Sequence, residues 1–198
     1  PLFATCEHDR VDCARLLLEA NASVDLATNN VVTPLFIACL GGHVECARVL
    51  IKAGAAVDLT TDDDCTPLYV ACQEGHVECV RLLLEGGTAM DLAADDGATP
   101  LLIACEKGHA ECARLLLEGG AAVDLADNNG YTPLWVACEM GHVECVRLLL
   151  EAGAAVDLAS GAALCVACDH GHAECARLMI EAGAPVDQAS DDGCTPLY

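Results

Sequence analysis

Apolar residues in this chain recur in two short helical bursts separated by glycine, and the pattern then begins again. In the stretch Thr99 to Tyr131, Leu101, Ala104 and Cys105 share one side of a short helix. Thr99 is placed to cap it, and Pro100 suits its first position, where no backbone donor is needed. Gly108 can take the left-handed conformation that ends it. A second helix is predicted from near Ala110 through Leu115, Leu116 and Leu117 to Gly119-Gly120. Val123-Asp124-Leu125 and the turn-forming Asp127-Asn128-Asn129-Gly130 complete the stretch.

Nearly the whole chain is copies of this stretch. Thr-Pro-Leu opens at Thr33, Thr66, Thr99 and Thr132, each 33 residues after the last, and again at Thr195; Pro1 lies 33 before Pro34. Self-similarity at a fixed period of this size is the signature of a repeat array. The units run 1–32, 33–65, 66–98, 99–131, 132–161 and 162–194, with a stub at 195–198. A Gly-His pair recurs at Gly42-His43, Gly75-His76, Gly108-His109, Gly141-His142 and Gly171-His172, and an ending such as Leu115 to Ala121 closes each second helix.

These motifs resemble the ankyrin repeat, whose period and T-P-L-H-x-A signature are general to that family. The resemblance covers essentially all 198 residues. It implies an all-α repeat solenoid: ankyrin-type stacked helix pairs with β-hairpin-like fingers projecting from them, in one elongated domain where each unit packs on its neighbours. It also implies that the Gly-His histidine orients a turn by hydrogen bonding. The family's T-P-L-H histidine is absent. Phe36, Tyr69, Leu102, Trp135 and Cys165 stand in its place, with Phe3 and Tyr198 at the ends. These are expected to fill space between units rather than to act as exposed anchors.

Three regions depart from the frame. In the first unit Asp9-Arg10 replaces Gly-His, and Asn21, the next-best left-handed residue, stands where later units have glycine. Three residues are missing near Ser160-Gly161, and Ala162-Ala163 replaces Thr-Pro, which predicts a truncated turn and the weakest joint of the array. Both ends cut through the motif without a polar capping unit, so a fragment of a longer array is expected.

Composition changes the picture in two ways. Hydrophobic residues make up 54% of the chain but aromatics only 3%, so the core is built from Ala, Val, Leu, Ile and Cys. The net charge is -22, with 31 acidic residues against 9 basic ones. Such a surface repels phosphates and anionic lipid and favours basic partners. No basic stripe exists for nucleic acid, and no apolar run reaches membrane-spanning length. Six of the positive charges fall in helix-surface pairs three apart: Asp12/Arg15, Glu45/Arg48, Glu78/Arg81, Glu111/Arg114, Glu144/Arg147 and Glu174/Arg177.

The 15 cysteines invite a chemical reading. Cys39-x3-His43-x2-Cys46 and its copies carry residue types that zinc uses. Yet Cys6, Cys39, Cys72, Cys105, Cys138 and Cys168 form one column, and Cys13, Cys46, Cys79, Cys112, Cys145 and Cys175 another. A column repeated once per unit is a packing position, and free Cys behaves there as a small hydrophobe. Zinc would need a fourth ligand in each unit; a nucleophile would need one distinctive thiolate in an electropositive pocket. Asp62-Asp63-Asp64 lacks the spacing of a calcium loop, and Asn21-Ala22-Ser23, though a glycosylation sequon, sits in a chain whose thiols point to a reducing, intracellular and cytoplasmic setting. No metal, cofactor, catalytic residue or small-molecule substrate is expected.

The residues that vary on the constant frame are then the candidates for binding. By position, the resemblance makes fingertips of Asn29, Asn30, Asp62, Asp63, Asp95, Asp96, Asn128 and Asn129, with Asp191-Asp192 beyond. On the first helices it points to Leu40, Gln73, Glu74, Glu106, Lys107, Glu139, Met140, Asp169 and His170. The expectation is a non-catalytic protein–protein interaction scaffold that takes a basic segment in an acidic concave groove. The alternatives are a targeting array of a larger enzyme or adaptor whose chemistry lies elsewhere, and an expanded array with no dedicated partner.

Overall fold

A computed structural model of the chain describes residues 1–156 and 163–186. The described residues form six helix pairs. The first helices are α1 (Leu2–Glu7), α3 (Pro34–Leu40), α5 (Pro67–Gln73), α7 (Pro100–Glu106), α9 (Pro133–Met140) and α11 (Ala163–Asp169). The second helices are α2 (Val11–Glu19), α4 (Val44–Lys52), α6 (Val77–Glu85), α8 (Ala110–Gly119), α10 (Val143–Glu151) and α12 (Ala173–Glu181). The expected truncated turn at Ser160-Gly161 and the stub at 195–198 lie outside the described residues.

Four of the first helices, α3, α5, α7 and α9, start as the motif dictates. The hydroxyls of Thr33, Thr66, Thr99 and Thr132 accept the backbone N–H of Phe36, Tyr69, Leu102 and Trp135 at 3.0–3.3 Å, with proline at the first helical position. The cap satisfies one of the donors that a helix leaves open at its start. All four threonines are buried, so water cannot take the cap's place. In the first unit Asp9 and Asn21 both hold left-handed φ, 51° and 61°, and preserve the two turns without glycine.

The helices stack in two layers. First helices pack on first helices and second on second, with the first-helix layer the more closely packed. Small residues permit this: Ala38, Ala71, Ala104, Ala137 and Ala167 are fully buried between successive units. Leu35, Leu68, Leu101, Leu134 and Leu164 on the first helices, and Leu50, Leu83, Leu116, Leu149 and Met179 on the second, complete a continuous core. Burying each such side chain contributes roughly 1.5–3 kcal/mol.

The fingers are tight reverse turns rather than strands; no β-ladder occurs among the described residues. Hairpin-like closure is nonetheless present. The amides of Thr28, Thr61, Ala94 and Asp127 each donate to the carbonyl four residues on, at 3.0–3.1 Å. Successive fingers are tied by carboxylates: Asp25, Asp58, Asp91 and Asp124 accept the amides of Ala56, Ala89, Ala122 and Ala155 in the next unit at 3.0–3.2 Å. Five of the six expected helix-surface ion pairs close, from Arg48–Glu45 to Arg177–Glu174; Asp12 and Arg15 do not form the sixth.

Candidate protein-binding face

The Gly-His histidines do more than orient a turn within their own unit. His76, His109, His142 and His172 reach back to the preceding unit, where Nε2 donates to the carbonyls of Leu40, Gln73, Glu106 and Glu139 at 3.0–3.1 Å. Those carbonyls end the first helices. Each ring also lies against the left-handed glycine of the unit before it: a Cβ on Gly75 would stand 2.5 Å from Nδ1 of His109. The backbone beneath Gln73, Glu106 and Glu139 is therefore fixed by the frame.

The candidate residues follow from this frame. Glu74, Lys107, Met140, Asp169 and His170 are exposed, and Gln73, Glu106 and Glu139 are half-buried. Several are engaged locally. Gln73 donates to Glu74 at 2.9 Å, Lys107 pairs with Glu106 at 2.7 Å, and the His170 ring hydrogen-bonds the Val166 carbonyl at 3.0 Å. Met140 leaves 45% of its surface open, an apolar contact among charges.

Among the fingertips, Asn29, Asn30, Asp62, Asp63, Asp95, Asp96, Asn128 and Asn129 are all exposed; Asp191-Asp192 lies outside the described residues. The second, third and fourth tips join in series. The Asp95 amide donates to the Asp63 carbonyl at 3.2 Å, and the Asn128 amide to that of Asp96 at 2.9 Å. Asn128 Nδ2 adds a bond to the Asp95 carbonyl at 2.8 Å, so this side chain is already committed. Asp63 and Asp64, with Asp95 and Asp96, thus crowd carboxylates along one rim, and Asp62 is exposed next to them in the chain. The Asp95 carboxyl is held above its ordinary value, first by its hydrogen bond with Asp64 and further by the like charges around it.

Tyr69 connects tips to helices. Burial pushes its phenol well up, and the charges of Asp96 and Glu106 add to the shift, which places a tip carboxylate and a first-helix carboxylate around one ring. Tyr69, Leu102 and Cys165 are buried, and Phe36 and Trp135 pack partly buried on the core, so the substituted signature position fills space between units as expected. Tyr131 stacks on Trp135 with ring centroids 3.9 Å apart, a pair that the sequence reading did not single out. Nor did it find the row Leu26, Leu59, Leu92 and Leu125, which stays 39–65% exposed although it recurs as plainly as the buried columns.

The cysteine columns meet across units. Cys39 hydrogen-bonds Cys79, Cys105 bonds Cys145, and Cys6 bonds Cys46. The bond to the neighbouring thiol, with burial, holds Cys39 and Cys105 well above the ordinary thiol range. Burial pushes Cys46 up to about 12 and Cys112 to about 11. A thiol kept protonated is neither nucleophile nor ligand. Among the described residues no three His, Cys, Asp or Glu side chains converge as a metal site, and no helix is long and apolar enough to cross a membrane.

The chain is similar to known proteins over nearly its whole length. A sequence model described as ankyrin repeats in three copies matches residues 2–93 and 86–160, and the single ankyrin repeat matches 162–191. The human ASB11 ankyrin repeat domain is similar at 35% identity and a TM-score of 0.91, over 100% of this chain and 90% of that one. An ankyrin repeat domain from Acinetobacter baumannii AYE is 29% identical with a TM-score of 0.87, over 93% and 98%. The ankyrin repeat domain of Bcl-3, a member of the IkappaB protein family, has the same identity and TM-score over 100% and 92%. Comparison with curated proteins gives no match.

Proposed function

The chain belongs to the ankyrin repeat family, whose arrays are in general non-catalytic protein-interaction scaffolds, and from that premise we propose that it binds a basic segment of a partner protein. The segment lies along a concave groove floored by the first helices and rimmed by the fingertips. The closer packing of the first-helix layer supports a curvature toward that side. The observation that carries the charge assignment is the rim itself. Asp63, Asp64, Asp95 and Asp96 crowd together beside the exposed Asp62, and a lysine- or arginine-rich segment relieves their repulsion. Glu74, Glu139 and Asp169 extend the negative field along the floor, while Met140 and the Tyr131–Trp135 pair offer apolar contact for aliphatic stems.

The test is a selection of peptides from a display library against the chain, with two charge-reversed variants as competitors. The first carries Asp62→Lys, Asp63→Lys, Asp95→Lys and Asp96→Lys. The second carries four reversals on the second helices, at Glu19, Glu85, Glu118 and Glu151. Selected peptides are expected to be rich in Lys and Arg, to lose binding to the first variant and to keep it for the second. Neutral or acidic winners, or equal loss with both variants, would contradict the proposal.

A further inference from the structure

Rim and floor change character along the array, and they do so at the same units. The second and third tips carry Asp62-Asp63-Asp64 and Asp95-Asp96, whereas the first and fourth carry Asn29-Asn30 and Asn128-Asn129. Asp127, under the fourth tip, is half-buried and accepts the amides of Asn129 and Tyr131 at 2.9 Å, so its carboxylate is engaged within the turn. The rim is thus acidic at its centre and amide on either side. Burial raises the Cys65 thiol, and Asp63, Asp96 and Asp95 add to the shift, which joins the two acidic tips in one field.

The first helices that follow these four tips divide in the same way. After the second and third tips, Tyr69 and Leu102 are buried, and α5 and α7 close on Gln73-Glu74 and Glu106-Lys107. After the first and fourth tips, Phe36 and Trp135 are half-buried, and α3 and α9 close on Leu40 and Met140, which are 37% and 45% exposed. Val31 adds an exposed apolar side chain at the first tip, and Tyr131 stacks on Trp135 at the fourth. Half-buried Glu139 is the carboxylate next to Met140 in the chain. Both apolar stations lie inside the array, with α1 and α2 before Phe36 and α11 and α12 after Met140.

We infer that the groove takes an extended segment with a basic centre and one apolar side chain toward each end, seated at Phe36 and Leu40 and at Trp135 and Met140. This rests on the basic-segment reading and adds a register to it. Packed helices lie about 8–10 Å apart, so stations three units apart are separated by about 24–30 Å. An extended chain advances about 3.3 Å per residue, which sets the two anchors about seven to nine residues apart. Charge supplies attraction and encounter, but lysines can slide along a row of carboxylates. Two apolar side chains that must reach two separate stations fit in one register only. A second copy of this chain, at net charge -22, or an anionic lipid surface would bring like charge to the rim.

The test is a set of synthetic peptides titrated against the chain in dilute salt, followed by calorimetry and by the emission of Trp135, the chain's single tryptophan. Each peptide has a centre of alternating Lys and Ser and carries two Leu, one Leu or none. The separation of the two Leu runs from about three to about twelve residues. At a separation of about seven to nine, the two-Leu peptide is expected to bind at least about tenfold tighter than the peptide without Leu and to shift the Trp135 emission. Shorter and longer separations should fall back to the level of one Leu. In the double variant Leu40→Ser and Met140→Ser, the gain from the two Leu should shrink to less than about threefold. Circular dichroism and thermal melting check that this variant folds. A gain indifferent to separation, or one that survives in the folded double variant, would overturn the inference. If the peptide without Leu binds and leucine adds nothing, the basic-segment reading stands and this inference falls. If no peptide with a basic centre binds, both fall.

Discussion

Gly75 and His109 make one contact that no single-unit reading reveals. The glycine has φ of +72° and supports the ring that bonds Gln73 of its own unit. His109→Ala is expected to lower stability by about 1–2 kcal/mol, a lost hydrogen bond and its unpaired carbonyl. Gly75→Ala is expected to cost about 2 kcal/mol, from the left-handed backbone and the crowded ring. In the double variant the ring clash is gone, so the combined loss in urea unfolding should fall short of the sum. The cysteines give a second test at this scale. Among the described residues, the native chain at neutral pH should alkylate rapidly at Cys13 and Cys168, more slowly at half-buried Cys65, and at the eleven buried thiols only in denaturant. Raised thiol values in the folded chain also set a pH window. At Cys46 and Cys112 the thiol is protonated in both the folded and the unfolded chain well below 9, so these two add no pH dependence there. Between the ordinary thiol value of 9.0 and the values of about 11 and about 12 at Cys112 and Cys46, these two thiols lose their protons first in the unfolded chain, and their contribution to stability falls as pH rises. Column position alone identified these residues as packing, because it repeats with the unit. It missed the exposure of Cys13 and Cys168, because exposure depends on what stands above and below a unit.

The first helices α3, α5, α7 and α9 each begin on a buried threonine cap, and Thr99→Ala is expected to cost about 1 kcal/mol while Thr99→Ser costs little, as thermal unfolding can measure. The helices, their caps and their glycine ends were all legible in the sequence, since each follows from a local preference that agrees with the hydrophobic period. The fingers were legible only as turns. Their linkage through Asp25, Asp58, Asp91 and Asp124 joins residues 31 apart, and no local rule reports it, although the recurring Val-Asp-Leu carried the signal. One finger is strained. Val31 sits at φ of +57° where the third and fourth fingers have Gly97 and Gly130. A β-branched residue is disfavoured there, and its side chain is exposed, so Val31→Gly should stabilise the first finger by about 1 kcal/mol.

At the scale of the whole molecule, stacking turns a weak local signal into a surface. One unit offers two acidic residues at a tip; the series of bonds from Asp63 to Asn128 holds three tips as one rim. The sequence named the rim residues correctly as exposed, because they vary while the frame does not. It could not show that Lys107 is neutralised by Glu106 or that Asn128 is already bonded to its neighbour, since both depend on side-chain placement. The central claim is that an acidic face recognises a basic segment, and long-range charge is what distinguishes it from a purely shape-selective scaffold. The most direct measurement is the affinity of one library-selected peptide, by fluorescence anisotropy, in about 0.05 M and about 0.5 M salt. At least about a tenfold loss of affinity at the higher salt is predicted. An unchanged affinity would contradict the account.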